Sequence, residues 1–181
     1  MAENIKSLNE LDVLFADYVQ KILELADDKV LISYSQRRQK SSKIDEDVCY
    51  VKTLNVSDEV QMYKNRTKAY NASNEAYTIK QYTMRLLMLQ LVFYGPNSEY
   101  NATKVNECFY LNSGRDLLSR NNLALVPDRT NMPFMTYERI NEQFWQRADL
   151  KLYFYNSTCV EEEVGTFKEV DYHIEYGMEG K

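Results

Sequence analysis

Tyr77–Gly95 reads YTIKQYTMRLLMLQLVFYG and is the longest apolar run in the chain. It carries charges only at Lys80 and Arg85, and no Gly or Pro interrupts it before Gly95-Pro96. From Leu86 onward both faces are apolar, with Leu87, Leu89, Leu91 and Phe93 on one side and Leu86, Met88 and Val92 on the other. A strand buried on both faces reads as a continuous run of this kind, and so does a buried helix. Aromatic and β-branched residues at both ends, the abrupt stop at Gly95-Pro96 and a well-marked helix beyond it select the strand. It is expected to be the central strand, with other elements covering both of its faces. Its more polar start, Tyr77–Arg85, is expected to project past the core.

Working back from this strand, Asn71–Glu75 supplies a turn, and the polar, β-leaning stretch Val60–Tyr70 precedes it. Together these predict a long antiparallel hairpin whose tip extends beyond the core. Val48–Val56 alternates as Val48, Tyr50, Lys52, Leu54, Val56 and reads as a strand. Residues 36–47 form a charged loop in which Arg37, Arg38, Lys40 and Lys43 give way to Asp45, Glu46 and Asp47. It reads either as a solvated loop or as a basic arm that docks on an acidic partner surface. Val30–Tyr34 is a short strand candidate. Residues 7–26 carry Leu8, Leu11, Leu14, Phe15, Tyr18, Ile22 and Leu25 at helical spacing, with a capping box from Ser7 to Glu10.

Working forward, Ser98 is the expected N-cap of a helix reaching Asn112, interrupted at Ser113-Gly114, with a second helical turn over Arg115–Asn121. Leu123–Val126 is a short apolar segment. Asp128–Thr136 reads as a loop holding Met132-Pro133-Phe134-Met135, and Tyr137–Phe144 as a helical turn or irregular bridge. Gln146–Tyr155 has the cleanest alternation, with Ala148, Leu150, Leu152 and Phe154 to one side. Asn156–Glu163 is expected to turn the chain and ends in Glu161, Glu162 and Glu163. Phe167–Tyr176 alternates as a closing strand, and 177–181 is a tail. The order predicts one α+β domain over 1–181: an N-terminal helix within 1–28, the loop at 36–47, and a core over 48–176. Its sheet is mainly antiparallel with a long hairpin, and its helices pack on one face.

Composition narrows the function. The 181 residues are 44% hydrophobic, enough for one sizeable core. Fifteen tyrosines suit half-buried strands and protein–protein surfaces. A net charge of −5 lacks the basic footprint of a nucleic-acid binder. Cys49, Cys108 and Cys159 form no CxxC pair and read as free thiols. The opening MAENIKSLNELD has no basic stretch followed by an apolar one, so no secretion signal is expected, and no membrane span is expected either. On that reading the five Asn-x-Ser/Thr matches arise by chance from an Asn-rich chain.

Motifs for chemistry are missing. There is no GxxxxGK[ST], GxGxxG or GxSxG, and five glycines suffice for few such loops. His173 stands between Asp171 and Glu175 on a strand face; a solvated acidic face explains it better than a metal site. Trp145 reads as a plug at the core edge, with an interface anchor as the alternative. No catalytic residue, cofactor or metal is expected.

Three strings carry a resemblance: Leu89-Gln-Leu-Val-Phe-Tyr-Gly95, Asn122-Leu-Ala-Leu-Val126 and Gln146-Arg-Ala-Asp-Leu-Lys-Leu152. Within the series of elements over Val48–Tyr176, they resemble the neck and tail terminator proteins of tailed bacteriophages. The resemblance implies a structural virion protein of the tail or neck, assembled in the host cytoplasm and without catalytic residues. It implies a ring of hexameric or dodecameric size that ends the tail tube. Its expected partners are tail-tube and head-completion or connector proteins, with DNA passing through unspecifically. Another phage structural subunit, a head–tail connector or tail-tube protein, is the alternative. The expected interface residues are Arg37, Arg38, Lys40 and Lys43 in the basic run, Asn71, Ser73 and Glu75 at the hairpin tip, and Glu161, Glu162 and Glu163 in the acidic run.

Overall fold

A computed structural model describes residues 3–33, 43, 45–57, 59, 64–73, 76–129 and 132–165. In chain order the elements are β1 (Glu3–Asn4), α1 (Leu8–Leu23), β2 (Val30–Ile32), β3 (Val48–Val56), β4 (Lys64–Asn71), β5 (Ala76–Tyr94), α2 (Ser98–Tyr110), α3 (Asn112–Arg120), β6 (Leu123–Leu125), β7 (Phe134–Ile140) and β8 (Gln143–Gly165). Among the described residues the sheet is antiparallel except where β2 runs parallel to β3. The fold class is α+β, as expected. Phe167–Tyr176 and its Asp171–His173–Glu175 face lie outside the described residues.

The run that opens the sequence reading is β5, and it sits at the centre. On one side β8 pairs with it along its whole length, from Ala76↔Gly165 to Tyr94↔Arg147. On the other side β3 covers Leu86–Tyr94 and β4 covers Ala76–Thr83, so those two strands lie end to end along one flank. Leu87, Leu89, Leu91 and Phe93 share a face with Cys49 and Val51 of β3 and Ala148, Leu150, Leu152 and Phe154 of β8, and all are buried. Against them pack Leu11, Phe15 and Val19 of α1, Ala102, Val105 and Phe109 of α2, and Leu118 of α3. The rings of Phe15 and Phe154 stack at 5.3 Å, with Phe109 at 5.7 Å from Phe154.

Among the described residues the second face of β5 is less fully covered than the first. Leu86 is buried, but Met88 and Val92 are only half-buried, and no described helix lies over them. Their cross-strand neighbours are Leu54 and Tyr153 for Met88 and Tyr50 and Asp149 for Val92. Among the described residues, long side chains lying on the sheet half-cover this face.

Four expectations are corrected. Asn156–Glu163 does not turn: Ser157, Thr158, Cys159 and Val160 continue the ladder, and β8 runs 23 residues. Tyr137–Phe144, with Phe134 and Met135 before it, is neither loop nor helix. Phe134–Ile140 is β7, hairpinned to β8 through Asn141 and Glu142, whose φ values of 49 and 66 give the left-handed pair of a two-residue turn. Ser98 is the first helical residue and is fully buried; Asn97 is the N-cap, and its backbone N–H and Nδ2 both donate to Asp47. Helix α3 starts at Asn112, because Gly114 lets it close on α2: a Cβ there would stand 2.4 Å from the Cys108 carbonyl oxygen.

Helix α1 matches its expected start, with the Ser7–Glu10 capping box formed. It is tied to the sheet by a buried carboxylate. Strand β2 covers the edge of β3 only as far as Val51. The next outward amide, that of Thr53, donates to Asp12 Oδ1 at 2.6 Å, and Lys52 Nζ donates to Asp12 Oδ2 at 2.7 Å. Asp12 is 0% exposed, so its loss strands a buried donor. Asp12→Ala is therefore expected to lower stability by about 1–3 kcal/mol. A lower urea midpoint at unchanged slope is the readout; an unchanged midpoint would show that water replaces the carboxylate.

Candidate assembly surfaces

Beyond Leu86 towards the tip, the sheet narrows to β4, β5 and β8 and leaves the helices behind. Every residue of β4 is exposed, and so are Glu162–Gly165 at the end of β8. This three-stranded arm carries the hairpin tip, where Asn71 Oδ1 accepts from the Ser73 amide at 3.0 Å. Tyr70 and Tyr77 pair their rings at 5.1 Å just below it.

Side chains alternate across the arm, so Lys64, Arg66 and Lys68 stand on one face with Gln81, Ile79 and Glu162. Arg66 Nε donates to Gln81 Oε1 at 2.9 Å. The opposite face carries Lys80, Glu161 and Glu163, and Lys80 Nζ lies 3.3 Å from Glu161 Oε1. The root of the arm is clamped at Arg85, whose pKa burial lowers. Its guanidinium donates to Asn156 Oδ1 at 2.8 Å and to the Lys6 carbonyl at 2.6 Å. Asn156 Nδ2 in turn donates to the Asn122 carbonyl at 3.0 Å, joining the arm to the α3–β6 corner.

At the far end of the sheet the β7–β8 hairpin is held by a charged and aromatic cluster. Tyr94 Oη donates to Glu138 Oε2 at 2.5 Å, and Arg147 Nη1 donates to the same oxygen at 2.8 Å. Arg147 also grips Asp149 through Nε at 2.7 Å and Nη2 at 2.9 Å, while its guanidinium lies 5.8 Å from the centre of the Tyr94 ring. The hydrogen bond from Tyr94, then that from Arg147, holds the Glu138 carboxyl below the usual range. Burial, reinforced by the same bond to Glu138, pushes the Tyr94 hydroxyl well up, so it stays a donor. Trp145 is half-buried against Tyr94 at 6.2 Å, which fits the core-edge reading; its neighbour Phe144 is 69% exposed, as is Tyr137 at 70%.

Of the expected interface residues, Arg37, Arg38, Lys40 and Glu75 lie outside the described residues. Asn71 and Ser73 are at the arm's tip, and Glu161, Glu162 and Glu163 lie on its flank, so the structure brings these two groups together. Lys43 is elsewhere. Its carbonyl accepts from Glu46, whose backbone, with that of Asp47, crowds Gly95 at the other end of β5. Along a strand rising about 3.3 Å per residue, that end is roughly 50 Å from the acidic run. The sequence reading missed the Tyr94–Glu138–Arg147–Asp149 cluster. Arg147 and Asp149 were visible on one strand face, but their partners follow only from the register of β5 and β7 against β8.

Residues 9–177 match a family described as phage neck terminator protein. No curated protein matches the chain.

The cluster makes a pH prediction. A carboxyl whose folded pKa is depressed stabilises the fold above its unfolded pKa, near 4.5 for Glu138, and that contribution is lost as pH falls through the lower folded value. Trp145 is the only tryptophan and stands opposite Glu138 in the β7–β8 ladder. Its fluorescence is expected to change on acidification below about pH 4.5, ahead of global unfolding, and Glu138→Gln is expected to abolish that step. A step that survives the substitution would assign it to another group.

Proposed function

The chain belongs to the phage neck terminator protein family, and from that premise we propose that it forms a ring at the tail–neck junction. The ring ends the tail tube and joins it to the head-completion proteins, and DNA passes through its centre. The family makes it a structural protein of the phage tail or neck. The observation that carries the ring is the arm: three strands extend past the helical layer and expose nearly every side chain on β4. An exposed strand edge of this kind templates pairing with another chain, which supports assembly. Its partners are further copies of itself, as a hexamer or dodecamer, and the adjoining tail-tube and head-completion proteins.

DNA must slide through such a ring, so the lumen is lined by polar and acidic side chains. A collar of Lys and Arg repeated by symmetry would hold the duplex through counterion release. The column Lys64, Arg66, Lys68 therefore faces away from the passage. The basic run Arg37–Lys43 pairs with a neighbour's Glu161–Glu163. Because Lys43 and the acidic run mark opposite ends of β5, that contact joins the ends of two subunits in stacked or steeply tilted copies. Such exposed pairs contribute about 0.2–1 kcal/mol each and are screened by salt, so they set alignment more than affinity.

Light scattering on the full chain after size exclusion is expected to give six or twelve times 21.4 kDa. Filter binding at low salt is expected to show only weak retention of duplex DNA. A monomer at micromolar concentration contradicts the ring, and tight, steeply salt-dependent DNA binding lost on neutralising Lys64, Arg66 and Lys68 contradicts the sliding passage.

A further inference from the structure

The ring reading leaves open what receives the end of the arm, and resting on it we propose that the β7–β8 hairpin does. Tyr137, Arg139 and Phe144 of one copy seat the Tyr70–Tyr77 tip of the next, with Arg139 against its Glu162. Side chains alternate along β7, and Arg139 stands opposite Phe144, so these three hairpin residues share one face. It is the face of Met135 and Ala148, the last row packed against the core. Beyond that row Tyr137 is 70% and Phe144 69% exposed. Arg139 beside them is exposed and, among the described residues, has no carboxylate partner, whereas Arg147 is held by Glu138 and Asp149. Aromatic residues and arginine are enriched at interface centres and supply most of the binding energy there.

The chain itself carries the complementary surface. Tyr70 and Tyr77 form the last row of the arm on this same face of the sheet and are 55% and 42% exposed. The next row holds Ile79 and the exposed Glu162, with Lys68 two strands away on the arm's other flank. An acid beside two rings thus answers a cation beside two rings. The two surfaces differ and stand at opposite ends of one subunit, as the contacts of a closed ring require. Position agrees with composition. The Gly95 N–H donates to the Gln146 carbonyl at 3.3 Å, and the Glu46 backbone crowds Gly95, so the hairpin shares the end of the sheet where Lys43 lies. That is the end which a neighbour's acidic run approaches in the ring. Glu162 answers Arg139 on one face of the arm, and Glu161 on the other face is left to the basic run. Because both patches lie on one face of the sheet, they cannot meet between level, parallel copies. The neighbour's arm comes down on the hairpin at a steep angle, so of the two arrangements open to the basic-to-acidic contact this one selects the tilted.

The length of the sheet makes a test. Arg139 stands opposite Phe144, and Phe144 and Glu162 both lie on β8, whose rise of about 3.3 Å per residue separates them by roughly 60 Å. No short linker spans that distance within one chain. The full chain carrying Arg139→Cys and Glu162→Cys, treated with a short thiol-to-thiol cross-linker, is expected to give a covalent ladder ending at the size of the ring. Each single variant should give no more than the wild-type background set by Cys49, Cys108 and Cys159. As a second measurement, Arg139→Glu should raise the concentration needed for assembly at low salt several-fold while leaving the urea midpoint of the subunit unchanged, and adding Glu162→Arg should restore assembly. A ring that forms without the ladder and ignores both charge reversals overturns this contact alone and leaves the hairpin to a protein other than a second copy. A wild-type chain that stays monomeric overturns the ring and this contact together.

Discussion

Pairing on both sides of β5, along all of its 19 residues but Met84 and Arg85, is the constraint from which the rest of the architecture follows. A central strand of that length needs flanking strands of equal reach, which β8 supplies in one piece and β3 and β4 supply in two. The helical layer covers only part of it. From Leu87 to Phe93 each inward side chain is buried against α1 or α2, and burial of such a residue stabilises by about 1.5–3 kcal/mol. From Ala76 to Arg85 the ladder itself and cross-strand pairs such as Tyr70–Tyr77 do most of the holding, and each such pair contributes only about 0.2–1 kcal/mol. A three-stranded extension without a hydrophobic face is marginal alone. On the proposed function, other molecules complete that surface.

The polar contacts sit where this unequal sheet needs fixing. Asp12 takes up the bare edge of β3 and so sets where α1 crosses the sheet. Arg85 and Asn156 stand at the boundary between core and arm and tie it to the Lys6 carbonyl and the α3–β6 corner, so the arm leaves the core in one direction. Glu138 and Arg147 hold the hairpin at the opposite end. These contacts set orientation; the phenylalanine cluster of Phe15, Phe109 and Phe154 carries the burial.

The sequence made the core half legible because its signals are local. The β5 run, the alternation of Ala148, Leu150, Leu152 and Phe154, the Ser7–Glu10 capping box and the family strings each need no knowledge of register. The long hairpin was legible too, from the Asn-rich turn between two β-leaning stretches. What stayed hidden depended on pairing. Asn156 reads as a turn former until Arg85 and the Asn122 carbonyl satisfy its amide. Asn141-Glu142 lacks the glycine that usually marks a two-residue hairpin. The tip and acidic run were singled out from composition, but that both ride on one arm, beside the Lys64–Lys68 column, emerged only from the ladder.

Residue-resolved hydrogen exchange, compared between dilute protein and assembled protein, tests the central claim that the outer half of the sheet is completed by assembly. In dilute protein the amides of Leu87–Phe93 are expected to exchange only through global unfolding, and those of β4 and Ala76–Arg85 much faster through local opening. On assembly the outward amides of β4 should gain protection while the core half stays unchanged. An arm already as protected as the core in isolated subunits, or one that gains nothing on assembly, would contradict the account.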